Sequence, residues 1–378
     1  MWDRRNDIPG LHTGKEPHKA PDAEATAVHF LERWLWYLVS IGLHALSGTN
    51  WEERTMMLSA PSPWRLAIIF LSLFLFMGCA GTPLGIENRE VRLSIARLGS
   101  ADGDPEGFAS LRSAFRLRNP GHDVSFQRNT RALVSYSKTR AAFVQTGEAR
   151  AEISGGALHR SSNLTVGDIV ILRPGEGLLT DAPLSFVVFE VPDNPPRELP
   201  SYVRPDWDLS ITDTPGGCAE EEGAYRRILL TWKPEVGPYI WHGINAHRVR
   251  ISDSFTHYHP LVGGFDEFYL VQMVQPGGSI LTSPHVEAIE SRNVTRDAAP
   301  GLMRLDQLAV GDLVYLPRGL IHRGIGGVLA QVITVPGFRP GAEIGVDHHL
   351  RAINEQLQLS AIESIPYHQS ASLEAVVK

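Results

Sequence analysis

Two stretches of the chain carry one pattern of apolar and polar positions. Residues 164–192, LTVGDIVILRPGEGLLTDAPLSFVVFEVP, and residues 308–336, LAVGDLVYLPRGLIHRGIGGVLAQVITVP, align without a gap at an offset of 144 residues. Val166, Gly167, Asp168, Gly175 and Pro192 recur in the second copy. Each copy reads as strand, tight turn and strand, because alternating or continuous β-branched runs flank glycine and proline. A repeat of this length predicts a duplicated domain. A different periodicity follows, in HHLRAINEQLQL at 348–359, where apolar residues recur near helical spacing.

Between the copies, the proline-rich Pro192–Pro200 and the acidic, turn-like 213–223 cannot hold a central strand. These breaks set the expected organisation: a first module at 88–195, a linker at 196–224, a second module at 225–340 and a tail at 341–378. The tail's helix is expected on the outside of the second module. The 35 glycines and 26 prolines suit short strands joined by turns. A formal charge of −7 argues against nucleic acid as a partner. Cys79 and Cys218 are the only cysteines, which excludes a disulfide framework and a cysteine-rich zinc site.

The strongest apolar run is LAIIFLSLFLFMG at 66–78, preceded by Arg65 and followed by Cys79-Ala80-Gly81. As a helix it spans about 20 Å, short of the roughly 30 Å of a bilayer core. A basic flank, a short apolar stretch and small residues at its end describe a signal peptide. Ending at Gly-Cys, segment 56–79 resembles a bacterial lipoprotein signal. That resemblance implies lipidation at Cys79, membrane attachment through it, and a place in the bacterial cell envelope, periplasm or outer membrane. Such signals begin at the start of a chain, so translation is expected from Met56 or Met57, with 1–55 an annotation overrun or disordered. Segment 28–45 alternatively forms a membrane-surface helix. The other reading of 66–78 is an uncleaved anchor or a buried helix; an unused signal leaves the protein in the cytoplasm.

The second module contains SFTHYHPLVGGFDEFYLVQ at 254–272 and GDLVYLPRGLIHRGIG at 311–326. His257 and His259 are two apart, so in a strand they share a face. Gly263 and Gly264 permit a turn, and Glu267 opens the next strand. If the two strands pair, the carboxylate meets both imidazoles. His322 follows Pro317-Arg318-Gly319, a turn into a new strand. Three neutral imidazoles and a carboxylate make a good site for one divalent first-row metal and leave positions for water or substrate.

These two segments resemble the cupin superfamily. Its second motif is matched by Gly311, Pro317, Gly319 and His322, with Gly326 where Asn is usual. Its first is matched by His257, His259 and Glu267. Seven residues separate His259 from Glu267 instead of three or four, and Ile251 replaces the leading glycine. Asp266 is the fallback ligand. The resemblance covers about 110 residues well and, through the repeat, the first module weakly. It implies an all-β fold of two tandem cupin (jelly-roll) β-barrels with a short C-terminal helix. It further implies a site in the second barrel alone, because Leu178 stands where His322 does and Arg140 where Glu267 does. The resemblance to cupin dioxygenases favours Fe or Mn; Ni or Zn also accept these ligands.

Function is then expected as a metal-dependent, dioxygenase-like oxidoreductase acting on a small organic substrate. His257, His259, Glu267 and His322 hold the metal, and Glu267 doubles as the base. Tyr269 shares Glu267's face and, with Arg318 and Arg323, is a candidate for substrate contact. The alternative is a non-enzymatic cupin module that binds a sugar or other small ligand. A third reading is an assembly scaffold, with the barrels pairing as a homo-oligomer.

Overall fold

The computed structural model describes residues 91–155, 159–214 and 225–378. The expectations for 1–55, for the segment 56–79 with Cys79, and for Cys218 lie outside the described residues. Among the described residues no helix is long and apolar enough to cross a membrane.

The chain is all-β: two tandem jelly-roll barrels with a short C-terminal helix. A seven-stranded sheet is built from β2 (Asp123–Val134), β3 (Thr139–Thr146), β4 (Ala149–Ser154), β5 (Arg160–Leu164), β6 (Ile169–Leu172), β7 (Gly177–Val191) and β8 (Tyr202–Val203). The second sheet has ten strands. Its first four after the linker are β9 (Arg226–Leu230), β10 (Asn245–Asp253), β11 (His257–Tyr258) and β12 (Asp266–Val274). Then come β13 (Ser279–Ser283), β14 (Arg304–Gln307), β15 (Asp312–Leu316), β16 (Ile321–Val335) and β17 (Ile344–Gly345). The tenth strand is β1 (Ser94–Arg97), which pairs with β15, Ser94 opposite Tyr315 and Arg97 opposite Asp312. This segment was expected with the first module, yet it completes the sheet of the second. Arg97 seals the join with an ion pair to Asp312.

The duplication is visible in strand register. In the first barrel Arg140 of β3 lies opposite Leu172 of β6 and Glu190 of β7. In the second, Glu267 of β12 lies opposite Leu316 of β15 and Thr334 of β16. Both partner pairs differ by the same 144 residues as the sequence repeat. The shared VGD turn has a shared cause. Asp168 accepts from the Thr165 amide at 3.0 Å and Asp312 from the Ala309 amide at 2.7 Å. Gly167 and Gly311 take the left-handed φ of 98° and 89° that closes each turn.

Strand alternation sorts side chains into three apolar layers. Ala142, Val144, Val170, Leu172, Leu178, Phe186 and Val188 fill the first barrel. Ala141, Phe143 and Phe189, on the other faces of the same strands, meet Phe268, Leu270, Leu313 and Tyr315 of the second barrel in a shared core. Helix α1 (Pro105–Arg118), which the sequence reading did not anticipate, enters this core through Leu111 and Phe115. Asp104 caps it by accepting from the Gly107 amide, and Pro105 occupies the first turn. The Phe115 ring stands edge-on to Phe189, Phe268 and Tyr315 at 6.1, 5.1 and 5.9 Å. Such pairs add about 0.5–1.5 kcal/mol each beyond area burial.

The second barrel's interior holds Val249, Ile251, Tyr269, Val271, Val314, Leu316 and Val332. Ile251, in place of the expected glycine, packs against Gly324, where an added Cβ would sit 2.7 Å from the Ile251 methyl. Outside this barrel, helices α2 (Val286–Glu290) and α3 (Asp347–Leu357) pack Ile289, Leu350 and Ile353 against Ile321.

Candidate metal centre

Three histidines converge because of how β11 and β16 pair. His257 lies directly opposite His322 in the antiparallel ladder. Opposed residues share a face, and His259 returns to that face two residues on. Ring centroids are 4.2 Å apart for His257 and His322, 5.4 Å for His257 and His259, and 5.1 Å for His259 and His322. One nitrogen from each ring can be chosen so that all three lie within 4.8 Å of one another. The side chains are buried, with 0–1% exposure.

Backbone carbonyls fix which nitrogen faces inward. His257 Nδ1 lies 3.1 Å from the Phe255 carbonyl and His322 Nδ1 3.1 Å from the Leu320 carbonyl. A carbonyl only accepts, so each Nδ1 carries the proton and each Nε2 keeps its lone pair. His259 has the Phe265 carbonyl as its backbone partner. All three Nε2 atoms are buried and lack a hydrogen-bond partner. Burial, and then the neighbouring imidazoles, hold His257 and His259 well below the ordinary histidine range, so both are neutral near pH 7.

Glu267 reaches the cluster from the start of β12. Its Oε2 lies 3.8 Å from His259 Nε2 and its Oε1 3.6 Å from His322 Nε2. Donors about 2.1 Å from a shared octahedral ion lie about 3.0 Å apart when adjacent and about 4.2 Å apart when opposed. The four side chains therefore fit a first-row divalent cation with little movement. The additional residues before Glu267 do not displace it. They are taken up in an exposed turn at 261–263, while the Gly319 amide donates to the His259 carbonyl at 2.7 Å.

Asp266, the fallback ligand, points the opposite way. It accepts from Asn119 Nδ2 at 2.6 Å, the Tyr315 hydroxyl at 2.7 Å, and the Arg318 amide and Nε, both at 2.9 Å. Its lone pairs are spent on a buried hub that ties α1 to the turn before His322. Arg318 belongs to that hub, and its Nη2 also donates to the Arg118 carbonyl and Asn119 Oδ1. Arg323, next to His322 but on the other face of β16, is held in an ion pair with Asp253. Arg318 and Arg323, the candidates for substrate contact, are thus each ion-paired with a carboxylate, Asp266 and Asp253. Tyr269 lies inside the barrel, on the face of Glu267 and Val271 as strand alternation requires.

One residue of the site was missed. Glu343, which precedes β17, is 7% exposed, and its carboxylate oxygen lies with His259 nitrogen and a Glu267 oxygen inside a 4.8 Å set. Burial first, then the negative charge of Glu267, pushes its carboxyl up to about 7. No motif spacing reaches it, because it follows the barrel's last long strand. The available signal was its place in a short apolar-flanked segment, AEIG, beyond that strand.

The corresponding region of the first barrel carries no such set. Leu178 lies in the apolar interior, and Arg140 pairs with Glu190 at 2.7 Å. Among the described residues, both clusters able to hold an ion belong to the second barrel.

No protein-family model matches the chain, and no curated protein matches it. Solved structures do. Oxalate decarboxylase from Bacillus subtilis at pH 4.6 is similar at 11% identity and TM-score 0.41, over 70% of this chain and 81% of that one. The formate complex of Lactobacillus farciminis oxalate decarboxylase is similar at 13% identity and TM-score 0.39, over 65% of this chain and 84% of that one.

Proposed function

We propose that the protein is a metal-dependent bicupin enzyme whose second barrel binds one divalent ion, Fe(II) or Mn(II), through His257, His259, Glu267 and His322. The observation that carries this reading is the convergence of three buried imidazole Nε2 atoms, each without a hydrogen-bond partner, beside a buried carboxylate. A buried acceptor left unpaired costs about 1–3 kcal/mol. Three in one place are costly unless a cation takes their lone pairs.

Held there, the ion would supply Lewis acidity toward an oxygen of a small organic molecule. The chain supplies the rest. Carbonyls of Phe255 and Leu320 orient the rings, as partners behind metal-ligating histidines do. Val314, Leu316 and Val332 belong to the buried apolar interior of the same barrel. Glu267 holds a carboxylate oxygen where it receives a proton from a bound substrate hydroxyl. The reaction favoured is a dioxygenase-like oxidation.

The test uses the full-length protein. Metal analysis of purified protein should give one divalent ion per chain, lost in His257→Ala and His322→Ala. Oxygen consumption should follow with candidate enols and diols. Metal without turnover would leave a binding module; no metal in the unaltered protein would end the proposal. For segment 56–79, we propose lipidation at Cys79 and attachment in the cell envelope, which mass spectrometry of the mature N-terminus tests. An intact residue 1 in exported protein would overturn it.

A further inference from the structure

The set of four ligands leaves Glu343 unexplained. We propose that Glu343 is a fifth protein ligand to the same ion, a second carboxylate delivered by the segment that follows the barrel. This rests on the metal reading above.

Register supplies the first argument. β17 pairs with β11, with Gly345 opposite His257 and Ile344 opposite Tyr258. Continued by one residue, this antiparallel ladder sets Glu343 against His259. Directly opposed residues project from the same face, which here is the face carrying the imidazoles. The segment is anchored: the Glu343 amide donates to the Lys378 carbonyl at 3.0 Å, and the Gly345 amide to the Val376 carbonyl at 2.8 Å.

Geometry and charge supply the second. A Glu343 oxygen, a Glu267 oxygen and a His259 nitrogen all lie within 4.8 Å of one another. Their residues are 7%, 4% and 1% exposed, and His259 Nε2 has no hydrogen-bond partner. Two buried carboxylate groups side by side repel when both are charged. A divalent cation between them removes the repulsion and balances both charges. Three imidazoles and two carboxylates occupy five of six octahedral positions. The sixth is left for an exogenous oxygen donor. Such a set favours a hard six-coordinate ion such as Mn(II) over four-coordinate Zn(II).

The probe is Mn(II) alone, added to metal-free full-length protein. Affinity is read by competition with a chelator. The number of metal-bound waters is read from the broadening of the Mn(II) resonance in ¹⁷O-water. The unaltered protein should show one bound water. Glu343→Gln, of the same size, should bind Mn(II) roughly 100-fold more weakly and gain one bound water. Glu343→Asp, which withdraws the carboxylate by one methylene, should also weaken binding and serves if the Gln variant does not fold. An unchanged affinity in a folded variant overturns the assignment. So does weaker binding with an unchanged water count, because Glu343 would then act from behind another ligand. Failure of the unaltered protein to bind Mn(II), Fe(II) or Zn(II) would instead overturn the metal reading itself, and this inference with it.

Discussion

Replacing Asp266 by alanine separates two roles for an acid that sits beside Glu267. In the structure, Asp266 is fully buried and neutralises Arg318, whose side chain is 18% exposed. It also accepts from the buried Tyr315 hydroxyl and from Asn119, the C-cap of α1. Burial, then the Asp266 charge, raises the Tyr315 phenol, so this group donates throughout the accessible pH range. Removing one partner of a buried ion pair costs about 3–5 kcal/mol. Each neutral donor left without an acceptor costs about 1–3 kcal/mol. These losses share one site and do not add, so about 4–6 kcal/mol is expected for Asp266→Ala. Urea unfolding of metal-free protein, followed by tryptophan fluorescence, measures it. A cycle with Asn119→Ala should show a coupling of about 1–2 kcal/mol, because the two side chains touch. Metal affinity per folded molecule should change much less than stability. The reasoning is refuted if Asp266→Ala loses the metal while costing metal-free protein less than 1 kcal/mol, since Asp266 would then be a ligand.

Other expectations follow from the same geometry. Glu267→Gln should lose turnover while keeping enough metal to measure; full turnover with full metal would remove its role as base. Folding holds His257 and His259 below their unfolded value near 6.5, so their stabilising effect is present above that value. It is lost as pH falls below 6.5, by about 1.4 kcal/mol per pH unit for each histidine. Urea melts of metal-free protein at pH 7.5 and 5.5 test this, and a His257→Ala variant with an unchanged pH slope would contradict it. Phe115→Ala should cost about 3–5 kcal/mol by opening a cavity in the shared core; a loss under 1 kcal/mol would mean that the barrels do not depend on this ring. A fragment starting at residue 225 should fail to fold as a soluble monomer. It lacks β1 and exposes Phe268, Leu270, Leu313 and Tyr315, and a cooperative melt of that fragment would argue otherwise.

The sequence made the repeat legible because one turn was copied with its chemistry. The Asp168 and Asp312 side chains each cap their own turn, and Gly167 and Gly311 supply a conformation that other residues avoid. The histidine cluster was legible for a similar reason, since period-two spacing and a Pro-Arg-Gly turn are local signals. Glu343 and the Asp266 hub were not legible, because their meaning depends on partners far along the chain. Asp266 and Glu267 are adjacent acids, and only the pairing of β12 decides which faces the imidazoles. Helix α1 carried a signal that went unread: Asp104-Pro105 followed by Phe108, Leu111 and Phe115 is a capped helix with an apolar stripe. β1 is too short to announce its sheet.

The first barrel, which among the described residues holds no cluster able to bind an ion, has a physical role in positioning the second. Its outer face covers the outer face of the second barrel, where β12 turns Phe268 and Leu270 away from the site and toward Phe115 and Phe189. Gln331 of β16 donates to the Gly167 carbonyl across the same boundary at 2.7 Å. Thus β12 and β16, which carry Glu267 and His322, are each packed on one side by the first barrel. A carboxylate and an imidazole held 3.6 Å apart keep that spacing only if their strands do not slide, and close packing resists sliding. The second site then depends on the first barrel's surface more than on its interior. Substitutions at Phe143 and Phe189 should consequently loosen metal binding more than size-matched substitutions at Val144 and Val188, which face the first barrel's own core. Chelator competition on the two pairs of variants compares them directly, and equal losses would mean that the first barrel acts only through global stability.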